Sequence, residues 1–162
     1  MLFSTKAEYG VRLMVELGRR NEGDVPETAM PVSLTAVAEA ESLPLSYLEH
    51  LVAKLRQAGL VTSVRGARGG YRLAKPASQI AMLDVVQALE GPIAPVECFH
   101  SNPEGRVLCS HEFDGDRACA TKLLWTRVHG GVTTALSGTT LAELVEFAAA
   151  AGGPPLAAAQ LT

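Results

Sequence analysis

Between Leu34 and Leu73 the apolar residues change their period, and that change limits what the chain can fold into more than any other feature. Leu48, Leu51, Val52 and Leu55 recur at i, i+3, i+4 and i+7, the spacing of a helix with one buried face. Ahead of them, Ser33 precedes a short helical stretch through Leu34, Val37 and Ala38. A break at 42–44 separates the two, because Pro44 cannot sit inside a continuing helix. Ser46 and Glu49 form the pattern S-x-x-E, which predicts a capping box at the start of the second helix, and Gly59 ends it. The run LVTSVR at 60–65 is β-branched and alternating, GARGG at 66–70 reads as a turn, and Tyr71 to Leu73 make a short return strand. Helix, turn, helix, then a hairpin with arginines at its tip is the order of a winged helix-turn-helix.

The flanking sequence is mostly helical. Ser4 caps a first helix reaching Arg20, with Tyr9, Leu13 and Leu17 on one stripe beside Met14. Residues 21–31 are a polar connector with two prolines. Met82 to Glu90 forms another amphipathic helix, closed by Gly91 and Pro92. Residues 92–115 lack periodicity and read as a long loop holding two cysteines. Asp116 caps a long helix to Ser137, striped by Cys119, Leu123, Val128, Val132 and Leu136. Gly130 and Gly131 lie within it and cost about 1 kcal/mol each unless close packing needs them. Thr140 and Glu143 predict a capping box opening a last helix through Leu141, Leu144, Val145 and Phe147, and the Ala/Gly/Pro tail is of low complexity. The expected fold is mainly α with a small β-hairpin wing: a winged helix-turn-helix plus a long dimerisation helix. The expected division is a winged helix-turn-helix at 1–80, a cysteine-bearing loop and dimerisation helices at 81–150, and a flexible tail at 151–162. So long an apolar stripe on so small a domain points to a partner helix from a second subunit.

A soluble cytoplasmic protein is the expectation, since no apolar run approaches the roughly 18 residues of a membrane span and the opening residues do not match the pattern of a signal peptide. Taken over the whole chain, the net charge of −3 argues against a nucleic-acid partner. Its distribution argues the opposite. Residues 1–75 carry ten Lys/Arg against eight Asp/Glu, whereas 76–162 carry four against nine. Within 44–75 stand Lys54, Arg56, Arg65, Arg68, Arg72 and Lys75 against Glu49 alone, a local basic face suited to a phosphate backbone. No catalytic signature supports an enzyme: there is no phosphate-binding Gly-rich loop opening a helix, no G-x-S-x-G and no H-E-x-x-H.

By residue type, the N-terminal end of the second helix carries the groove-facing candidates Ser46, Tyr47, Glu49 and His50. A serine hydroxyl bonds a phosphate or a base edge, a tyrosine packs on sugar and phosphate, and a glutamate accepts from cytosine N4. Glu49 has a competing role in the predicted capping box. Arg65 and Arg68 flank the wing turn. Three cations per subunit on phosphate make about six in a dimer, for a slope of log K against log salt of about −5. Cys98, Cys109 and Cys119 are too widely spaced for a zinc ribbon or a C-x-x-C redox pair. Their spacing leaves open three unrelated cysteines or three soft thiolates converging on iron.

The run SYLEHLVAKLRQAGLVTSVRGARGGYRLAKPASQIAMLDVVQALEG at 46–91, with the opening STKAEYGVRLMVEL, resembles the signature of the Rrf2-type transcription regulators. Within that family EGPIAPVEC at 90–98 is most similar to the regulators of iron–sulfur cluster assembly. The resemblance implies a winged-helix homodimer on a palindromic double-stranded DNA operator. It also implies a long fifth helix crossing its twin, a wing arginine in the minor groove, and a cysteine loop holding a [2Fe–2S] or [4Fe–4S] cluster. Three thiolates leave one ligand to find. The family's histidine position, three after the last cysteine, holds Lys122; Glu8 stands at the family's acidic position, with His111 and His100 as alternatives. The cysteine spacing is wider than the family's commoner pattern. The implied function is a DNA-binding regulator, expected to be a repressor, that senses cluster, redox or nitric oxide status. Two other readings stand beside it: a cluster-free winged-helix regulator with a thiol/disulfide or zinc switch, and an iron–sulfur electron-transfer or carrier protein.

Overall fold

Ser4 starts the first helix as its residue type predicts, its hydroxyl accepting the Lys6 N–H at 3.2 Å. Seen in a computed structural model, which describes residues 3–20, 28–94, 99–101, 107–109 and 119–150, the helices and the wing follow the predicted order. Helix α1 (Thr5–Arg20) is followed by α2 (Leu34–Glu41), α3 (Leu45–Gln57), β1 (Val61–Val64), β2 (Gly70–Leu73) and α4 (Met82–Glu90). Strands β3 (Phe99–Ser101) and β4 (Val107–Cys109) come next, then α5 (Ala120–Gly138) and α6 (Leu141–Ala149).

One core joins α1, α2, α3, the wing, α4 and α6. Leu13, Met14 and Leu17 of α1 meet Val37 of α2, Leu48, Leu51 and Leu55 of α3, Leu73 of β2, Leu89 of α4 and Leu141 of α6. Each fully buried leucine contributes about 2 kcal/mol of hydrophobic stabilisation, so this cluster orients the helix-turn-helix. The wing is tied to it as well. Val32 and Tyr71 exchange two backbone hydrogen bonds of 2.8 Å, which gives the β1–β2 hairpin a third extended neighbour. A Cβ on Gly70 would stand 2.4 Å from the Val32 carbonyl oxygen, so only glycine permits this approach.

Three local expectations are corrected. The predicted capping box at Ser46 and Glu49 does not form: Pro44 is the N-cap of α3, and its carbonyl takes the N–H groups of Tyr47 and Leu48 at 3.1 Å each. The cause is upstream. Ser42 takes a left-handed conformation (φ 53°), Leu43 turns into the core, and the rigid Pro44 leaves the helix to begin at Leu45, with Ser46 inside its first turn. Second, the stretch read as an unbroken loop contains the antiparallel pair β3–β4, too short to show a two-residue period. Third, α5 begins at Ala120 with Cys119 as its N-cap, later than the expected start at Asp116, which itself lies outside the described residues.

Thr140 and Glu143 do form the predicted reciprocal capping box on α6. Glycine again permits a close approach on α1, where a Cβ on Gly18 would stand 2.7 Å from the Val145 side chain of α6. Helix α5 differs from the rest. Among its described side chains none is buried, and Leu123 and Leu124 are 61% and 54% exposed.

Candidate nucleic-acid interface and cysteine segment

Helix α3 turns Leu48, Leu51 and Leu55 inward and a polar stripe outward. Ser46, Glu49, His50, Ala53 and Arg56 are exposed at helical spacing on the face opposite Leu48, Leu51 and Leu55. With no capping box, the Glu49 carboxylate is released from that structural role. Arg56 was counted in the basic face but not among the groove residues; its i+7 spacing from Glu49 was the available signal. Tyr47 differs from its neighbours in being half-buried. Its ring meets Tyr9 of α1 edge to face, with centroids 5.7 Å apart and planes at 87°. The Arg12 guanidinium lies 6.0 Å from the Tyr9 ring centroid and pairs with Glu41 at 2.8 Å. Tyr47 therefore helps to fix the recognition helix on α1.

Arg65 and Arg68 are exposed at the tip of the wing. The turn between them needs glycine twice: Gly66 has φ +121°, and a Cβ on Gly69 would lie 2.4 Å from the Val64 carbonyl oxygen. The basic face is smaller than its composition implied, because Lys54 turns away from it and donates to the Leu89 carbonyl of α4 at 3.1 Å. Arg56, Arg65, Arg68 and Lys75 remain exposed.

The predicted cluster ligands are placed only in part. Cys98 and His111 lie outside the described residues; Cys109 is the last residue of β4, paired in register with Phe99, and His100 pairs with Leu108. Cys119 is half-buried at the N-cap of α5, its sulfur 3.2 Å from the Thr121 hydroxyl, where helix N–H groups favour negative charge. Glu8 is exposed in the first turn of α1. It lines an apolar groove of ≈ 510 Å³ with Phe3, Val11, Val86 of α4 and Leu136 of α5. Leu136 is seventeen residues beyond Cys119, or about 25 Å along the helix axis. Among the described residues no three His, Cys, Asp or Glu side chains stand close enough to share a metal ion. None of the described helices is long and apolar enough to cross a membrane.

A helix-turn-helix with a glycine-built arginine wing and an exposed polar recognition stripe defines a winged-helix, DNA-binding regulator of transcription. The chain belongs to the Rrf2 family, whose model, described as an iron-dependent transcriptional regulator, matches residues 3–147. It is 38% identical to the HTH-type transcriptional regulator CymR of Bacillus subtilis, over 91% of each chain. The solved structure of CymR, described as the global cysteine regulator of B. subtilis, superposes with a TM-score of 0.71, at 37% identity, covering 91% of this chain and 98% of that one. The chain is also 35% identical to the HTH-type transcriptional regulator IscR of Vibrio atlanticus, over 90% of this chain and 76% of that protein. Its relatives are regulators and not enzymes, and so is this protein.

Proposed function

We propose that this protein is a homodimeric cytoplasmic repressor that binds a palindromic operator and senses iron–sulfur cluster, redox or nitric oxide status. Ser46, Tyr47, Glu49 and His50 of α3 meet the major groove, and Arg65 and Arg68 of the wing meet the adjacent minor groove. Cys98, Cys109 and Cys119 hold a [2Fe–2S] or [4Fe–4S] cluster, with Glu8 of the partner subunit as the fourth ligand.

The observation that carries this reading is the distribution of groups along α5. Cys119 begins the helix and Glu8 lies beside Leu136 near its far end, so a site using both draws on two subunits. The helix is also built to be covered: Leu123 and Leu124 are exposed, and among the described residues a Cβ added to Gly130 or Gly131 meets no packing neighbour within 4 Å. Two glycines inside a helix cost about 1 kcal/mol each, which a closely crossing partner helix offsets. The donor set suits the group: three soft thiolates and the exposed carboxylate of Glu8. When bound, the cluster would supply a centre reactive toward oxidants and nitric oxide, held by the three thiolates and by the weaker oxygen donor of Glu8.

A second reading is favoured by the similarity to CymR, described as a cysteine regulator. In it the cysteines carry a thiol/disulfide or zinc switch and no cluster. Anaerobic purification, with a visible spectrum and iron and sulfide analysis, separates the two. A coloured protein with iron and acid-labile sulfide is expected; a colourless, sulfide-free protein after anaerobic reconstitution overturns the cluster reading. Salt-dependent binding to the promoter of its own operon distinguishes a regulator from an electron carrier.

A further inference from the structure

Lys54 is one of six cations that make residues 44–75 basic, and from sequence alone it belongs with the phosphate contacts. Its position contradicts that. The residue is half-buried on the flank of α3 that faces α4, and its Nζ donates to the carbonyl of Leu89 at 3.1 Å. The last carbonyls of a helix have no partner within it and carry partial negative charge, so an ammonium there is a favourable cap.

The acceptor lies at a crossing of three paths. Leu89 is 1% exposed and packs under α1 so closely that a Cβ on Gly10 would lie 2.0 Å from its Cδ1. The next residue, Glu90, accepts the N–H groups of Ser4 at 2.9 Å and Ala7 at 3.3 Å, and Ala7 immediately precedes Glu8. Gly91 then ends α4 at φ +90°, and the chain runs on toward Cys98 and Cys109. Residues 89–91 thus touch the start of α1, the entry to the cysteine segment and, through one ammonium, the recognition helix.

We infer that Lys54 is a positioning residue: it couples α3 to the junction at Leu89–Gly91, so that the state of the cysteine segment sets the placement of the recognition helix. This rests on the proposal that the cysteine segment is the sensing site. A phosphate contact and a coupling contact differ in what their removal changes. Losing a phosphate contact flattens the salt dependence of binding and lowers affinity in every state of the sensor. Losing a coupling contact leaves the salt dependence alone and makes the states alike.

The test is Lys54→Met, which keeps the apolar stem and removes the ammonium, with Lys54→Arg as the variant that can still donate. Full-length dimers are measured after anaerobic reconstitution with ferrous iron and sulfide, and after stripping with a chelator. Affinity for a duplex carrying the protein's own promoter is followed across a salt series. For Lys54→Met the expected slope of log K against log salt equals that of the parent. The affinity ratio between the two forms, about fivefold or more for a coupled sensor, falls to near one. Lys54→Arg restores the ratio. A slope flattened by about 2 per dimer makes Lys54 a phosphate contact, and an unchanged ratio makes it a plain structural residue; either overturns the inference. Amide hydrogen exchange, which needs neither DNA nor cluster, separates this from the sensing proposal. If the parent binds no DNA or shows no difference between forms, the sensing proposal fails. Lys54→Met must still raise exchange both in α3 and at 89–91 of the parent fold. Raised exchange at both sites supports the coupling, and unchanged exchange at either overturns it.

Discussion

The carboxylate of Glu90, the last residue of α4, accepts both the backbone N–H and the hydroxyl of Ser4 at the start of α1, 86 residues earlier. With the Ala7 N–H as a third donor, it caps one helix from the end of another. The Ser4 hydroxyl bond is the main cause holding the Glu90 carboxyl below its usual value of 4.5, with the backbone bonds from Ser4 and Ala7 and nearby Lys6 adding to it against the cost of burial. A depressed carboxyl stabilises the fold fully above the unfolded value and loses that contribution as pH falls through the folded one. Glu90→Ala is expected to cost about 1 kcal/mol at neutral pH. The cost should shrink as pH falls from 4.5 through the lower folded value, as read by thermal melts across pH.

Glu49 caps nothing, since α3 has Pro44 at its N-cap and no side-chain cap bond. Glu49→Ala should therefore leave stability within about 0.5 kcal/mol of the parent. On the proposed reading Glu49 contacts a base, and discrimination at one operator base pair should then change by about 1–3 kcal/mol, measured by competition among single-base variants of the site. A melting temperature lowered as a lost cap would lower it contradicts this assignment.

Arg65 and Arg68 stand exposed on a turn whose shape is set by glycines and by backbone bonds to Val32. Replacing either by alanine should leave the wing folded. Each substitution should flatten the salt slope of operator binding by about 2 per dimer if the side chain meets phosphate in both subunits. Titrations at several salt concentrations give the slope directly.

Gly70 faces the Val32 carbonyl at a distance no Cβ can share. Gly70→Ala is expected to break the paired Val32 and Tyr71 hydrogen bonds and to cost about 2 kcal/mol or more. The amides of Val32 and Tyr71 should lose exchange protection while those of α3 keep theirs.

Elements set by neighbours in the chain were legible from the residues alone. The bounds of α4, the Thr140 cap and the glycine-built wing turn each depend on contacts within a few positions. The basic face was legible as a composition but not as a surface: of its six cations, Lys54 is drawn to a carbonyl 35 residues away. The S-x-x-E pattern at 46–49 failed for a related reason. The pattern is sufficient for a capping box only where the chain enters the helix at Ser46, and the burial of Leu43 with the rigidity of Pro44 moved that entry to Leu45.

The sequence by itself determined the order of the helices and the wing, the exposed Ser46, Glu49 and His50 of α3, the arginines of the wing and the three widely spaced cysteines, because periodicity, turn chemistry and residue type act over a few positions or none. Tertiary structure alone decided that Glu90 caps Ser4, that Lys54 reaches Leu89, that Tyr47 rests on Tyr9, and that Glu8 lies toward the far end of α5 from Cys119. Those relationships join residues far apart in the chain. They arise from how the helices settle against a common core, which the local pattern around any one of those residues does not contain.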